Sequence, residues 1–383
     1  MDSEVHLLTA GLDRLRGLLG GLVVEPFLEQ QLADSVRADA LIRIRDPGGG
    51  GPAGTVLVEA KNTLVPADVA RRLGPQVSLL RQLQVNAAVL VIAPWLSPRT
   101  RAVLDEHGYG YLDLTGNVSL RLERPTVVLR LQGREREPSG ARKTKTSGVS
   151  GARAGQLIRL LVDAEPPYRA GQLADATGIS LPWVGRVLDA LEAELLIRRD
   201  GKTVTSTDWP GLLRARAGAT TLLSANTVIP LLAVGGADRV LKQLTDDLID
   251  PGLADQVAVT GSVAAGAVAP TAAAGQLMFY LRGGPPAANK LPERLGALRT
   301  EDTGRAPNVL VLLPPTHAVF DRTRTIDGVP HVALSQLVID CLSGNGRMPA
   351  EGEAVLELMK QNESRWRLTH LPTSSDTTRT GPR

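Results

Sequence analysis

The run Ala87–Ala93 (Ala-Ala-Val-Leu-Val-Ile-Ala) is seven apolar residues without a charge. A run of that length, rich in Val and Ile, forms a strand buried on both faces and so needs cover above and below it. The flanking sequence supplies that cover. The first ~20 residues place Leu7, Leu8, Leu12, Leu15 and Leu19 at helical spacing. A second helix is expected from Glu25 to Arg37, followed by strands Ala38–Arg45 and Thr55–Lys61 around the loop chemistry of Asp46-Pro47 and Gly48 to Gly51. Helices are expected over Pro66–Gln84 and Pro98–His107, and strands over Tyr109–Leu112, Val118–Leu122 and Val127–Leu131. This is an α/β alternation. Between the strands Tyr109–Leu112 and Val118–Leu122, Thr115-Gly116-Asn117 reads as a turn, with a loop beside a site as its functional alternative.

The chain has 383 residues, enough for two or three domains at about 150 residues each. No run approaches the ~20 apolar residues that cross a bilayer, and the Asp2 and Glu4 start does not read as a secretory leader. A lone cysteine, Cys341, rules out an internal disulfide and points to the cytoplasm. The five histidines are scattered, with no Cys/His cluster for zinc. The net charge of +3 is only mildly basic, so the placement of the cations says more than their sum.

Their placement points to the middle of the chain. Arg153–Ala164 and Arg169–Thr177 read as two helices, and Gly178 breaks the second. Ser180 suits the N-cap of a third, whose stripe Leu181, Val184, Leu188, Leu191 and Leu195 is expected to face a core. Leu196–Arg199 and Lys202–Ser206 flank Asp200-Gly201 as a β-hairpin. This order resembles the winged helix of bacterial transcription regulators. In such a domain Arg186 is placed to reach a guanine, and Ser180 and Trp183 are placed at the DNA backbone, unless Trp183 is core. Arg198, Arg199 and Lys202 on the wing would neutralise phosphates. Arg142, Lys143, Lys145 and Arg153 in the polar stretch before it would add attraction without sequence preference, or merely solubility.

A second chemistry lies nearer the N-terminus. On the strand Val-Leu-Val-Glu59-Ala-Lys61, Glu59 and Lys61 share a face. An antiparallel hairpin centred near Gly50 would set Asp39 across from about Lys61. Two carboxylates and a lysine at one end of an apolar sheet form the set needed for Mg²⁺-dependent phosphodiester hydrolysis. Asp39 and Glu59 would be the metal ligands, and Lys61 would position or deprotonate a water. These residues resemble the PD-(D/E)xK nuclease superfamily over residues 1–131, with Ala38 in place of the usual proline. The resemblance implies a role for Gln76 on the next helix and for a first-helix glutamate, either Glu25 or Glu29.

The last segment, Val257-Ala-Val-Thr-Gly261-Ser262 followed by Leu277-Met-Phe-Tyr-Leu281, resembles the opening of nucleotidyltransferases. Its second strand carries Gln276 and Met278 where those enzymes need acids, so a catalytically silent relative is expected. Residues 153–365 together are similar to AbiEi-like antitoxins of actinobacterial type IV toxin–antitoxin systems, which implies a DNA-binding autorepressor.

The expected architecture is thus an α/β multidomain chain. It comprises a restriction-endonuclease-like α/β domain (1–131), a basic linker (132–152), a winged helix domain (153–208), a nucleotidyltransferase-like α/β domain (210–365) and a disordered tail (366–383). The expected function is that of a cytoplasmic DNA-binding regulator or defence-type protein. It would bind double-stranded DNA, with a partner protein or a second copy as a further partner, and no membrane. The alternative is a Mg²⁺-dependent endonuclease that the winged helix targets.

Overall fold

In the computed structural model the chain divides into two compact units, Met1–Ser147 with Glu192–Leu195, and Gly148–Leu191 with Leu196–Arg383. The structure describes residues 2–33, 36–48, 53–75, 77–78, 87–135, 137–138, 149–244, 253, 256–269, 276–302 and 304–372.

The first unit is built on a seven-stranded sheet whose spatial order follows the sequence. Its strands are β1 (Val23–Ala33), β2 (Val36–Arg45), β3 (Gly54–Ala60), β4 (Ala87–Ala93), β5 (Gly110–Asp113), β6 (Val118–Leu122) and β7 (Val127–Leu131). β1 to β3 are antiparallel, β3 to β5 run parallel, and β5 to β7 return antiparallel. Alternation sorts the side chains onto two faces. Ile42, Val56, Val58, Leu90 and Ile92 pack on Leu8, Leu12 and Leu15 of helix α1 (Asp2–Leu18). Gly11 lets α1 lie close, since a Cβ there would stand 2.5 Å from Ile92 Cγ2. Leu57, Val89 and Val91 face the other way. They meet the short helix α2 (Pro66–Asp68), its π-type continuation Val69–Leu73, and helix α3 (Pro98–Glu106) through Val69, Leu73, Val103 and Leu104. The strand Ala87–Ala93 is the buried centre of this unit, as its composition requires.

The helix expected from Glu25 to Arg37 is instead β1 and the start of β2, paired from Val23↔Arg45 to Ala33↔Val36. The Leu-, Glu- and Gln-rich composition favours a helix, but the strand-forming neighbour β2 offers a full ladder of hydrogen bonds, and tertiary pairing outweighs a weak local preference. Pro26 is tolerated because β1 is the sheet edge.

The second unit opens with helices α4 (Ala152–Asp163), α5 (Ala170–Thr177) and α6 (Leu181–Ala193). A three-stranded sheet follows the order β8 (Tyr168–Arg169), β10 (Thr203–Thr207), β9 (Ile197–Asp200). Gly178 ends α5 in the left-handed conformation, at φ 65°. The stripe on α6 is narrower than its spacing suggests. Val184, Val187, Leu188 and Leu191 are buried, whereas Leu181 and Leu195 are exposed and Leu195 lies beyond the helix.

After α7 (Trp209–Ala219) comes a mixed seven-stranded sheet of β11 (Thr227–Ala233), β12 (Val257–Thr260), β13 (Leu277–Leu281), β14 (Ala297–Arg299), β15 (Val309–Leu313), β16 (Arg324–Ile326) and β17 (Val329–His331), in the order β14-β11-β15-β13-β12-β17-β16. Helices α8 (Ala237–Gln243), α9 (Gly261–Gly266), α10 (Gly284–Leu295), α11 (Leu334–Leu342) and α12 (Met348–Gln361) complete the unit. One continuous apolar core joins the three-helix part to this sheet. Disorder is expected from residue 366, but Leu368 pairs with Ala164, and its amide donates to the Asp163 carbonyl at 2.8 Å. Among the described residues no helix is long and apolar enough to cross a membrane.

Candidate active site

β2 and β3 meet in the register Ala40↔Val58, which sets Asp39 beside Glu59 rather than Lys61. The difference from the expected pairing is two residues. Side chains repeat with that period, so the three polar groups still share a face. Lys61 Nζ donates to Glu59 Oε2 at 2.6 Å and reaches Asp39 Oδ2 at 3.5 Å. The Ala60 amide donates to the same Asp39 oxygen at 2.8 Å, tying the aspartate to the backbone of the neighbouring strand.

The three groups differ in access to solvent. The Glu59 side chain is 2% exposed, that of Lys61 22% and that of Asp39 38%. The site therefore has a sealed base and an open mouth at the C-terminal end of the parallel strand β3, where open parallel sheets place their ligands. Burial alone would lower the Lys61 pKa. The hydrogen bond and charge of Glu59, joined by the charge of Asp39, outweigh it and hold the ammonium above its ordinary value.

The donor set is oxygen only. Among the described residues no group of three His, Cys, Asp or Glu converges to hold a metal. Two carboxylates with the remaining positions open to water and phosphate suit Mg²⁺, which keeps several waters and dispenses with a full protein cage.

The other expected members of the site fall elsewhere. Glu25 lies on edge strand β1, where Arg45 Nη2 donates to its Oε1 at 2.6 Å. That hydrogen bond, with the charges of Arg45 and Arg43 and against the opposing effect of desolvation, keeps the Glu25 carboxyl below its usual range. The side chain of Glu29, like Gln76, lies outside the described residues. The Asp113–Asn117 turn is a closed polar knot. Asp113 Oδ1 accepts from the Thr115 and Asn117 amides at 2.9 and 3.0 Å, and its Oδ2 accepts from Asn117 Nδ2 at 2.8 Å. Asp113 and Asn117 are both fully buried, so this is turn chemistry.

In the second unit Ser180, Arg186, Arg198 and Lys202 are exposed. Trp183 is half-buried against the core. Arg199 is half-buried, and its Nη2 pairs with Asp189 of α6 at 2.7 Å. Arg142, Lys143 and Lys145 lie outside the described residues. β13 carries no acid, as its sequence requires, and Ser262 at the start of α9 donates instead to the buried Glu351 at 2.5 Å.

No protein-family model matches the sequence. No curated protein matches it either. Among solved structures, a repair endonuclease from Pyrococcus abyssi aligns over 30% of this chain and 46% of its own, with 17% identity and a TM-score of 0.23. The apo form of EndoMS aligns over 27% of this chain and 45% of its own, with 19% identity and a TM-score of 0.20. The chain spans less than half the length of these structures. Both likenesses are partial, and the site is defined by this chain's own geometry.

Proposed function

We propose that the protein is a Mg²⁺-dependent DNA endonuclease of the PD-(D/E)xK type, delivered to DNA by a winged helix in its second unit. The observation that carries this reading is the convergence of Asp39, Glu59 and Lys61 at the open end of the β2–β3 pair. Asp39 and Glu59 would hold the metal, which when bound supplies charge neutralisation at phosphorus and a more acidic water. Lys61 is ammonium at neutral pH, so it donates hydrogen bonds to an attacking water or a phosphate oxygen rather than taking a proton. Asp39, pinned by the Ala60 amide, is fixed in place before substrate arrives.

The helix order α4–α5–α6 with the β9–β10 hairpin supports the winged helix, and exposed Arg186, Arg198 and Lys202 suit phosphate and base-edge contact. The same cations favour a second reading, a DNA-binding regulator that keeps the nuclease-like unit as a scaffold. The two are separated by incubating plasmid and linear DNA with the full chain and Mg²⁺ or Mn²⁺. The endonuclease reading expects nicking or cleavage that Asp39→Ala and Lys61→Ala abolish. Cleavage that survives both substitutions, or no cleavage with either metal, overturns it.

A further inference from the structure

The second unit carries a half-open pocket of about 390 Å³ that the nuclease reading leaves unused. Its walls come from α4, α7, the segment after α7, β13 and α11, and they bring together Gln156, Arg159, Arg216, Tyr280, Gln336 and Asp340. Its size is that of a metabolite site, and much of the remaining lining is apolar.

Arg216 sets the chemistry. Several other cations of this unit spend their Nη groups on protein acceptors, although Arg159 Nε and Arg324 Nη2 are themselves buried without one. Arg214 holds Glu353 through Nε and Nη2 at 3.0 and 2.6 Å. Arg159 gives its two Nη groups to the carbonyls of Ala318 and Asp321. Arg322 donates to the carbonyls of Asp163 and Trp366. Half-buried Arg216 has one long hydrogen bond among the described residues, Nη1 to the Val149 carbonyl at 3.3 Å, and no carboxylate within ion-pair distance. Its remaining N–H groups face the pocket rather than a protein acceptor, so an anion there has only water to displace. The helix beneath makes room for the guanidinium, because a Cβ on Gly155 of α4 would stand 2.9 Å from Arg216 Nε and 3.2 Å from Nη2.

The other charges lining the cavity are Arg159 and Asp340, so two guanidinium groups face one carboxylate and the lining is positive. That carboxylate is itself satisfied. Thr260 and Tyr280 hydroxyls donate to it at 2.6 and 2.9 Å and Gln336 at 2.7 Å, which leaves it no ion pair with Arg216. Burial also pulls the Arg216 guanidinium below its ordinary pKa, against the opposing charges of Asp340 and Tyr280.

We propose that this cavity is a binding site for a small organic oxyanion, a carboxylate or a phosphate ester, whose charged end pairs with the Arg216 fork while its apolar body fills the rest of the pocket. A planar guanidinium matches either oxyanion through two parallel hydrogen bonds. The site is independent of the nuclease reading and survives its failure.

Benzoate and phenyl phosphate share one apolar body and differ only in the oxyanion. Each is titrated into the full-length protein by calorimetry, up to ~10 mM. Saturable binding of one or both is expected, and the preferred probe identifies the source chemistry. Arg216→Gln weakens it by roughly tenfold or more. Gly155→Ala keeps the charge but pushes the guanidinium aside, so it weakens binding while favouring the helix. Arg214→Gln, an exposed cation on the same helix, leaves the affinity unchanged. Absence of saturable binding by both probes overturns the proposal. So does binding that Arg216→Gln and Gly155→Ala leave intact, which would place the anion elsewhere.

Discussion

At the scale of residues, the candidate site separates stability from chemistry. Asp39 is partly open and accepts one backbone hydrogen bond, so Asp39→Ala is expected to cost about 1 kcal/mol of stability while removing cleavage. Glu59 is sealed beneath Lys61, so Glu59→Ala strands a partly buried ammonium and costs more, about 1–3 kcal/mol. Denaturant unfolding of the two variants checks the order, and equal losses would mean that Glu59 is not the structural base of the site. Lys61 has a raised folded pKa, so the stability its pairing contributes is fully present below the ordinary lysine value and is lost only as pH climbs beyond it.

Asp340 works in the same sense, at lower pH. Burial, opposed by hydrogen bonds from Thr260, Gln336 and Tyr280, raises its carboxyl to about 6. The folded chain therefore keeps this proton up to about pH 6, whereas the unfolded chain releases it near pH 4. Stability from this group is greatest below pH 4 and declines through that window by about 3 kcal/mol. Asp340→Asn removes the dependence. The difference between wild type and variant should therefore narrow or reverse between about pH 4 and 7, read from the fluorescence of the edge-to-face Trp209–Trp366 pair during unfolding.

At the scale of elements, legibility in the sequence followed the range of the forces involved. The Ala87–Ala93 strand, helix α1 with its five leucines and the Asp-Gly hairpin were readable because short-range periodicity and turn chemistry determine them. Edge strand β1 was not, because its pairing partner decided a sequence whose composition favours a helix. The Asp39–Glu59–Lys61 grouping was visible through strand alternation. Its register was set two residues away by the β2–β3 ladder, part of whose connecting turn lies outside the described residues. The Arg216–Asp340–Tyr280 pocket had no local signal, since its members are scattered from α7 to α11 and only the folded sheet assembles them.

The same scale governs the hairpin. Asp189 on α6 holds Arg199, so of the hairpin's three cations only Arg198 and Lys202 stand exposed. Arg198→Ala and Lys202→Ala should each reduce the slope of log affinity against log salt by about 1. Arg199→Ala should change it less, and Asp189→Ala should tighten DNA binding by releasing Arg199. Fluorescence anisotropy with a short duplex across a salt series measures all four, and weaker binding by Asp189→Ala would refute this division of labour.

At the scale of the whole molecule, the residues of the candidate site and the exposed cations proposed to meet DNA lie in different units: Asp39, Glu59 and Lys61 in the first, Arg186, Arg198 and Lys202 in the second. If the second unit supplies binding that is equally strong in the ground state and the transition state, removing its cations raises KM and leaves kcat alone. Arg186→Ala combined with Lys202→Ala should then raise KM about tenfold with kcat within about twofold, and added salt should reproduce the effect on wild-type protein. Asp39→Ala should do the reverse, abolishing turnover while Kd for uncleaved DNA stays the same. Steady-state cleavage and equilibrium binding on one duplex read both variants. A fall in kcat on losing Arg186 and Lys202 would mean that those side chains act in the transition state, and that the division of labour between the two units is wrong.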